Sequence, residues 1–185
     1  MLKSADKIEI KMLGKEERYT ECYKKVFKLY NTISDLNIIE KNFLLYNLAW
    51  VCKKLNIIEE SKIYIQQTLD NIMSVKGYQT EKGKALWLYI ELYKEELNKD
   101  ELENLYKELK MIFSFMENDS EIILGIDGNI AILNNDWDKL INIISISISH
   151  NYIYLLNSVK SDILNLDKKL ENILIIIHNL ITSSK

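Results

Sequence analysis

Leu36-Asn37-Ile38-Ile39-Glu40-Lys41 returns nearly unchanged as Leu55-Asn56-Ile57-Ile58-Glu59-Glu60. Looser copies stand at Leu97-Asn98-Lys99-Asp100-Glu101, Leu133-Asn134-Asn135-Asp136 and Leu164-Asn165-Leu166-Asp167. After glycine, asparagine is the residue that best tolerates the left-handed backbone that ends a helix. An acid two or three positions later suits the start of the next helix, where the dipole favours negative charge. Each copy therefore reads as a corner: stop, turn, start. The copies are 19, 42, 36 and 31 residues apart. The first interval fits a single helix, and the others fit one helix pair each with loops of varying length.

Outward from these corners the helix period takes over. Tyr19, Cys22, Tyr23, Val26, Phe27, Tyr30 and Ile33 form one stripe within 15–33. The corners and such stripes predict helices over 15–34, 40–55, 58–75, 82–97, 100–116, 120–133, 136–149, 151–164 and 167–182. The clearest loop is 77–83, and 118–120 is a second break where Ser120 can cap the next helix. Residues 144–149 alternate Ile and Ser with a period of two, which is a strand signal. A helix is still expected there, because the segment falls in register as the second member of a pair.

Composition agrees with long helices. The 185 residues include no proline and five glycines, where average usage would give roughly nine prolines. Proline breaks helix interiors, and glycine weakens them by about 1 kcal/mol relative to alanine. Coding bias contributes, since Asn, Ile, Lys and Tyr are abundant and Arg18 is the sole arginine, a pattern that fits a low-GC bacterium or an AT-rich protist. Apolar residues make up 48% and charged residues 28%, enough for one folded domain over 1–185, with 1–14 a candidate disordered segment. The net charge of −3 and the single arginine argue against direct nucleic-acid binding. No uncharged 18-residue stretch and no charged-then-apolar leader occur, so a cytoplasmic protein with reduced thiols and no membrane association is expected.

The corner at Asn56 carries a resemblance. Leu45, Leu48, Ala49 and Cys52 on one side, then Leu55, Ile58, Ser61, Ile65 and Thr68 on the other, resemble the large and small positions of a tetratricopeptide repeat. The family's closing proline is replaced by Met73. The pair over 86–116 puts Leu102 where a small residue belongs. The next recovers Gly128, Trp137 and Ser147, and the pair over 151–181 matches only at its turn. The resemblance implies an all-α fold, an α-α superhelix of about four tetratricopeptide-like helix pairs preceded by one N-terminal helix. Among such proteins the chain looks like the repeat domain of Gram-positive peptide-pheromone receptors, the Rap–Rgg–PlcR group. Many of those join the repeats to a helix-turn-helix or a three-helix bundle; neither is expected within this sequence, which then reads as a stand-alone array, a piece of a longer protein or a chain outside the group.

That likeness implies a short peptide or protein segment held on the concave face. On the best repeat, the concave positions are Phe43, Tyr46, Asn47, Trp50, Lys53 and Lys54. Asn47 is the sharpest candidate, because a side-chain amide can donate to a peptide C=O and accept from a peptide N–H. Its ordinary role would be a solvated residue in an asparagine-rich chain. Tyr46 and Trp50 offer rigid aromatic area, or simply pack between helices. Lys53 and Lys54 could meet a ligand carboxylate, or cover apolar surface with their stems. Tyr89, Asn129 and Asn157 fall on later first helices and would line the same groove. Trp87 and Trp137 read as core.

No catalytic residues, cofactor or metal are expected. There is no phosphate loop, nucleophile elbow or His-Glu-x-x-His. Cys22 and Cys52 are too few for a metal or redox motif, and His150 and His178 have no ligand at metal spacing. His150 suits a helix end, and paired acids such as Glu59-Glu60 read as solvated. On the last helix, Ile175 and Ile176 widen the apolar stripe beyond one face, which implies a partner and favours a homodimer. Peptide-responsive regulator and constitutive scaffold or chaperone-like adaptor are the leading functions, well ahead of an unrecognised enzyme.

Overall fold

A computed structural model describes residues 1–73, 75–114, 120–150 and 152. Over these residues the chain is all-α: α1 (Ser4–Lys15), α2 (Tyr19–Thr32), α3 (Ile38–Lys54), α4 (Ile58–Ile72), α5 (Gln79–Tyr93), α6 (Lys99–Ser114), α7 (Ser120–Leu133) and α8 (Trp137–Ser149). The chain divides into two compact units, Met1–Asn98 and Lys99–Lys185. Within each, helices pack on their neighbours in sequence, as a helix-pair repeat requires. The helices expected at 151–164 and 167–182 lie outside the described residues.

The corners work by two mechanisms. Asn56 and Asn135 take the left-handed conformation, with φ of 60° and 54°. At the first, the Asn56 amide donates to Lys53 O at 3.0 Å and the Ile57 amide to Cys52 O at 2.8 Å. These two bonds satisfy carbonyls that a helix end leaves open. The same pair recurs as Asn135 to Ile132 O and Asp136 to Ala131 O. Asn37 does something else. Its backbone is extended and its side chain accepts from the amides of Ile39 and Glu40, while Glu40 accepts in return from the Asn37 amide. This is a capping box that starts α3. The expectation that Asn37 stops the preceding helix is therefore corrected: the same letters serve a start here.

Residues 1–14, where disorder is the expectation, instead form most of α1, and the single preceding helix becomes a pair. The expected helix over 15–34 is broken at Glu17, whose φ is 58°. Glu17 and Arg18 donate to Gly14 O and Leu13 O in the same two-bond pattern. Leu2, Ile10 and Leu13 are buried with Cys22, Val26, Leu44, Leu48 and Val51 in one core. Lys25 of α2 pairs with Asp6 and Glu9 of α1, each at 2.8 Å. Burial of the apolar side of α1 supplies the main stabilisation, since exposed ion pairs add little. Glu40 also reaches this helix's lead-in: its Oε1 accepts from the Leu2 amide at 3.0 Å.

Two further expectations meet the structure differently. The loop at 77–83 ends early, because α5 starts at Gln79 and holds Gly83 buried within it. The alternating segment 144–149 is helical, as expected from its register. Leu140, Ile143, Ile144 and Ser147 are buried at helical spacing beneath the alternation. The serine hydroxyls bond carbonyls of their own helix, Ser145 to Ile141 O and Ser147 to Ile143 O. At the end of α8, His150 Nδ1 stands 3.0 Å from Ile146 O.

α3 and α4 form the tightest pair. Leu45, Leu48, Ala49 and Cys52 face inward at 0% exposure, as do Ser61 and Ile65. The Ser61 hydroxyl donates across the pair to Ala49 O at 2.7 Å. Small residues at 49 and 61 let the backbones approach closely enough for that bond.

Candidate functional site

The helix period leaves one strip of α3 not fully enclosed, made of Phe43, Tyr46, Asn47, Trp50, Lys53 and Lys54, with Phe43 and Trp50 packed against the edge of the core. Its two edges meet different neighbours. On one edge, the Lys7 ammonium sits 5.9 Å above the Phe43 ring, and Trp50 lies edge-on to Tyr19 with centroids 5.6 Å apart. A Cβ at Gly14 would stand 3.2 Å from the Trp50 ring, so this glycine makes room for the indole. Trp50 is thus largely a packing residue between α3 and the α1–α2 pair. Its remaining surface carries the Lys54 ammonium at 5.8 Å.

On the other edge, Lys53 forms an ion pair with Glu91 of α5. Tyr46 is half-buried, and burial, with Glu91 nearby, pushes its phenol up to about 12. Tyr46, Lys53 and Glu91 therefore come together. Tyr89 does not join them. It stacks on Tyr93 with centroids 4.4 Å apart, and Lys62 of α4 lies 5.1 Å over the Tyr93 ring. Residues two apart on a helix face nearly opposite ways, so Glu91 and Tyr89 point to different neighbours.

Asn47 is half-buried, and its Nδ2 donates to Phe43 O one turn back at 2.6 Å. Asn129 makes the same bond to Gly125 O at 2.9 Å. One N–H and the carbonyl oxygen of each amide remain for other partners. Asn129 belongs to the second unit, and Asn157, Ile175, Ile176 and His178 lie outside the described residues. Trp87 and Trp137 are half-buried rather than wholly enclosed.

Sequence reasoning missed Glu91, because nothing links positions 53 and 91 along the chain. Glu59 and Glu60 are both exposed, as expected of a solvated pair, but the contacts of Glu60 are not visible in the sequence. Glu60 accepts from the Tyr23 hydroxyl at 3.2 Å and stands 3.9 Å from Cys52 Sγ. Cys52 and Cys22 are both buried. Burial raises their thiols to about 12 and about 11, so neither is a poised nucleophile. Among the described residues no group of three or more His, Cys, Asp or Glu side chains could hold a metal ion. No described helix is long and apolar enough to cross a membrane. No family model matches the chain, and no curated protein matches it either.

Proposed function

We propose that the chain is a non-enzymatic binding scaffold that captures a short peptide or protein segment on the exposed strip of α3. The observation that carries this reading is the strip itself. Tyr46, Asn47 and Lys53 sit side by side, half-exposed, on a helix whose opposite side is fully buried. A rigid platform lowers the ordering cost of binding. Aromatic area, an amide and a cation are the groups that hold an extended backbone and an acidic end.

In this reading a ligand carboxylate competes with Glu91 for Lys53. Exchange of that partner loosens the tie between α3 and α5 and shifts their packing, which a second protein then senses. This is the logic of a peptide-responsive bacterial regulator of the pheromone-receptor kind. A constitutive scaffold or adaptor is the second reading. It is favoured by the internal engagement of Lys53, Asn47 and Trp50, which leaves a surface complete without a small effector. A homodimer through Ile175 and Ile176 is compatible with both, and Ile176→Lys should then convert the sedimenting species to monomer.

Thermal shift against a pool of short hydrophobic peptides tests the reading. A saturable rise in Tm that disappears in Asn47→Ala supports the regulator. No response to any peptide, with one protein co-purifying in defined stoichiometry, moves the conclusion to the scaffold.

A further inference from the structure

On another side of the unit, Tyr23 of α2 and Cys52 of α3 meet a single carboxylate carried by α4. Glu60 lies in the first turn of α4 and is exposed. Its Oε2 takes both neighbours, the Tyr23 hydroxyl at 3.2 Å and Cys52 Sγ at 3.9 Å. Phe27, one turn beyond Tyr23 on α2, stacks on it with centroids 5.6 Å apart and rings 17° from parallel. Phe27 remains 42% exposed, which is high for a ring of its size. Tyr64, one turn beyond Glu60 on α4, is half-buried, and burial followed by the Glu60 charge raises its phenol. Burial and the same carboxylate push Tyr23 up to about 12. Glu91 and Glu96 of this unit have lysine partners, whereas Glu60, like Glu17, Glu81 and Glu95, forms no ion pair among the described residues; Glu60 differs from those three in lying against tyrosine.

We propose that Glu60, with the rings of Tyr23, Phe27 and Tyr64, forms a receptor for an organic cation, the ammonium or guanidinium end of a lysine or arginine side chain on a partner protein. Ring faces attract cations through their quadrupole. The carboxylate adds a charge-assisted hydrogen bond through the oxygen that Tyr23 does not occupy. An anion meets the Glu60 charge and is rejected. A calcium or magnesium ion finds one carboxylate where it needs about six oxygens. Its carboxylate and rings lie on α2 and α4 and share no residue with the proposed peptide strip.

The test is calorimetric titration of the full chain with N-acetyl-lysine methylamide and with N-acetyl-arginine methylamide, ionic strength held constant with sodium chloride. Saturable binding of one or both probes in the millimolar range is expected, and the tighter probe identifies the side chain. Glu60→Gln is isosteric and exposed, and should weaken binding at least tenfold. Phe27→Ala should weaken it several-fold, whereas Tyr23→Phe, which keeps the ring, should retain it. Circular dichroism confirms that each variant is folded. Absence of saturation by either probe overturns the proposal, as does undiminished binding in folded Glu60→Gln.

Discussion

The pairs α3–α4 and α7–α8 reach the same arrangement by different chemistry. Both turn on an asparagine with positive φ, and both close the first helix with the same two backbone bonds. In α3–α4 the close approach is made by Ala49 and Ser61, and the serine bonds across to the partner helix. In α7–α8 the small positions are Gly125, Gly128, Ala131 and Ser147, all buried, and Ser147 bonds back to its own Ile143 O. Close approach is thus the shared requirement. The cross-pair hydrogen bond is an addition that fixes the α3–α4 register more firmly.

The first way to break this comparison is to empty each core. Leu45→Ala and Leu140→Ala both remove side chains with 1% exposure or less. Each should lose about 3 kcal/mol in urea denaturation followed by circular dichroism. A much smaller loss at Leu140 would mean that α8 is not seated on a packed core.

A second difference is titratable. Cys22, Tyr23, Tyr46 and Cys52 all belong to the N-terminal unit, and all have raised values, about 11 for Cys22 and about 12 for the others. Each is neutral when protonated and holds its proton longer in the folded state. Their contribution is therefore intact below the unfolded values, near 8.5 for thiols and 10 for phenols, and is lost as pH rises towards 12. Urea midpoints should fall over that window, and Cys52→Ser with Tyr46→Phe should flatten the fall. An unchanged slope in the double variant would remove burial of these groups as the cause.

The serines sharpen the contrast further. Ser61→Ala deletes the bond between helices and should destabilise by about 1 kcal/mol. Ser147→Ala deletes a bond within one helix that competes with the backbone, and should fall within about 0.5 kcal/mol of wild type. Equal losses at the two sites would erase the distinction between the two pairs. The smallest effect concerns the shared corner. Asn56→Gly and Asn135→Gly both keep the left-handed turn and should change stability by only a few tenths of a kcal/mol, roughly alike.

These corners also mark what the sequence could tell. Asn56 is legible because few residues accept positive φ and asparagine is one of them, whereas in the copy at 133–136 the turn falls on Asn135, one residue past the Asn134 that aligns with Asn56. Glu17 adopts the same φ with no such signal in its type, so the break between α1 and α2 was invisible and the first pair was read as one helix. Asn37 was legible as a boundary but not as a start, since the capping box depends on Glu40 turning back to it. On the candidate strip, the face of α3 followed from the helix period alone. Its neighbours did not: Gly14 beneath Trp50 and Glu91 beside Lys53 are far away in the chain, and their meeting is a property of packing. Tyr89 lay beyond reach for the same reason, because a helix register error of one residue moves a side chain by about 100°.

Glu40 has one oxygen on the Asn37 amide and the other on the Leu2 amide, and it is almost wholly enclosed. Its carboxylate therefore joins the first turn of α3 to the strand of backbone that leads into α1. The amide protons of Leu2 and Asn37 should then exchange with deuterated solvent as one event, each shielded until the other opens. Glu40→Gln, which can accept at one oxygen only, would separate them into two rates.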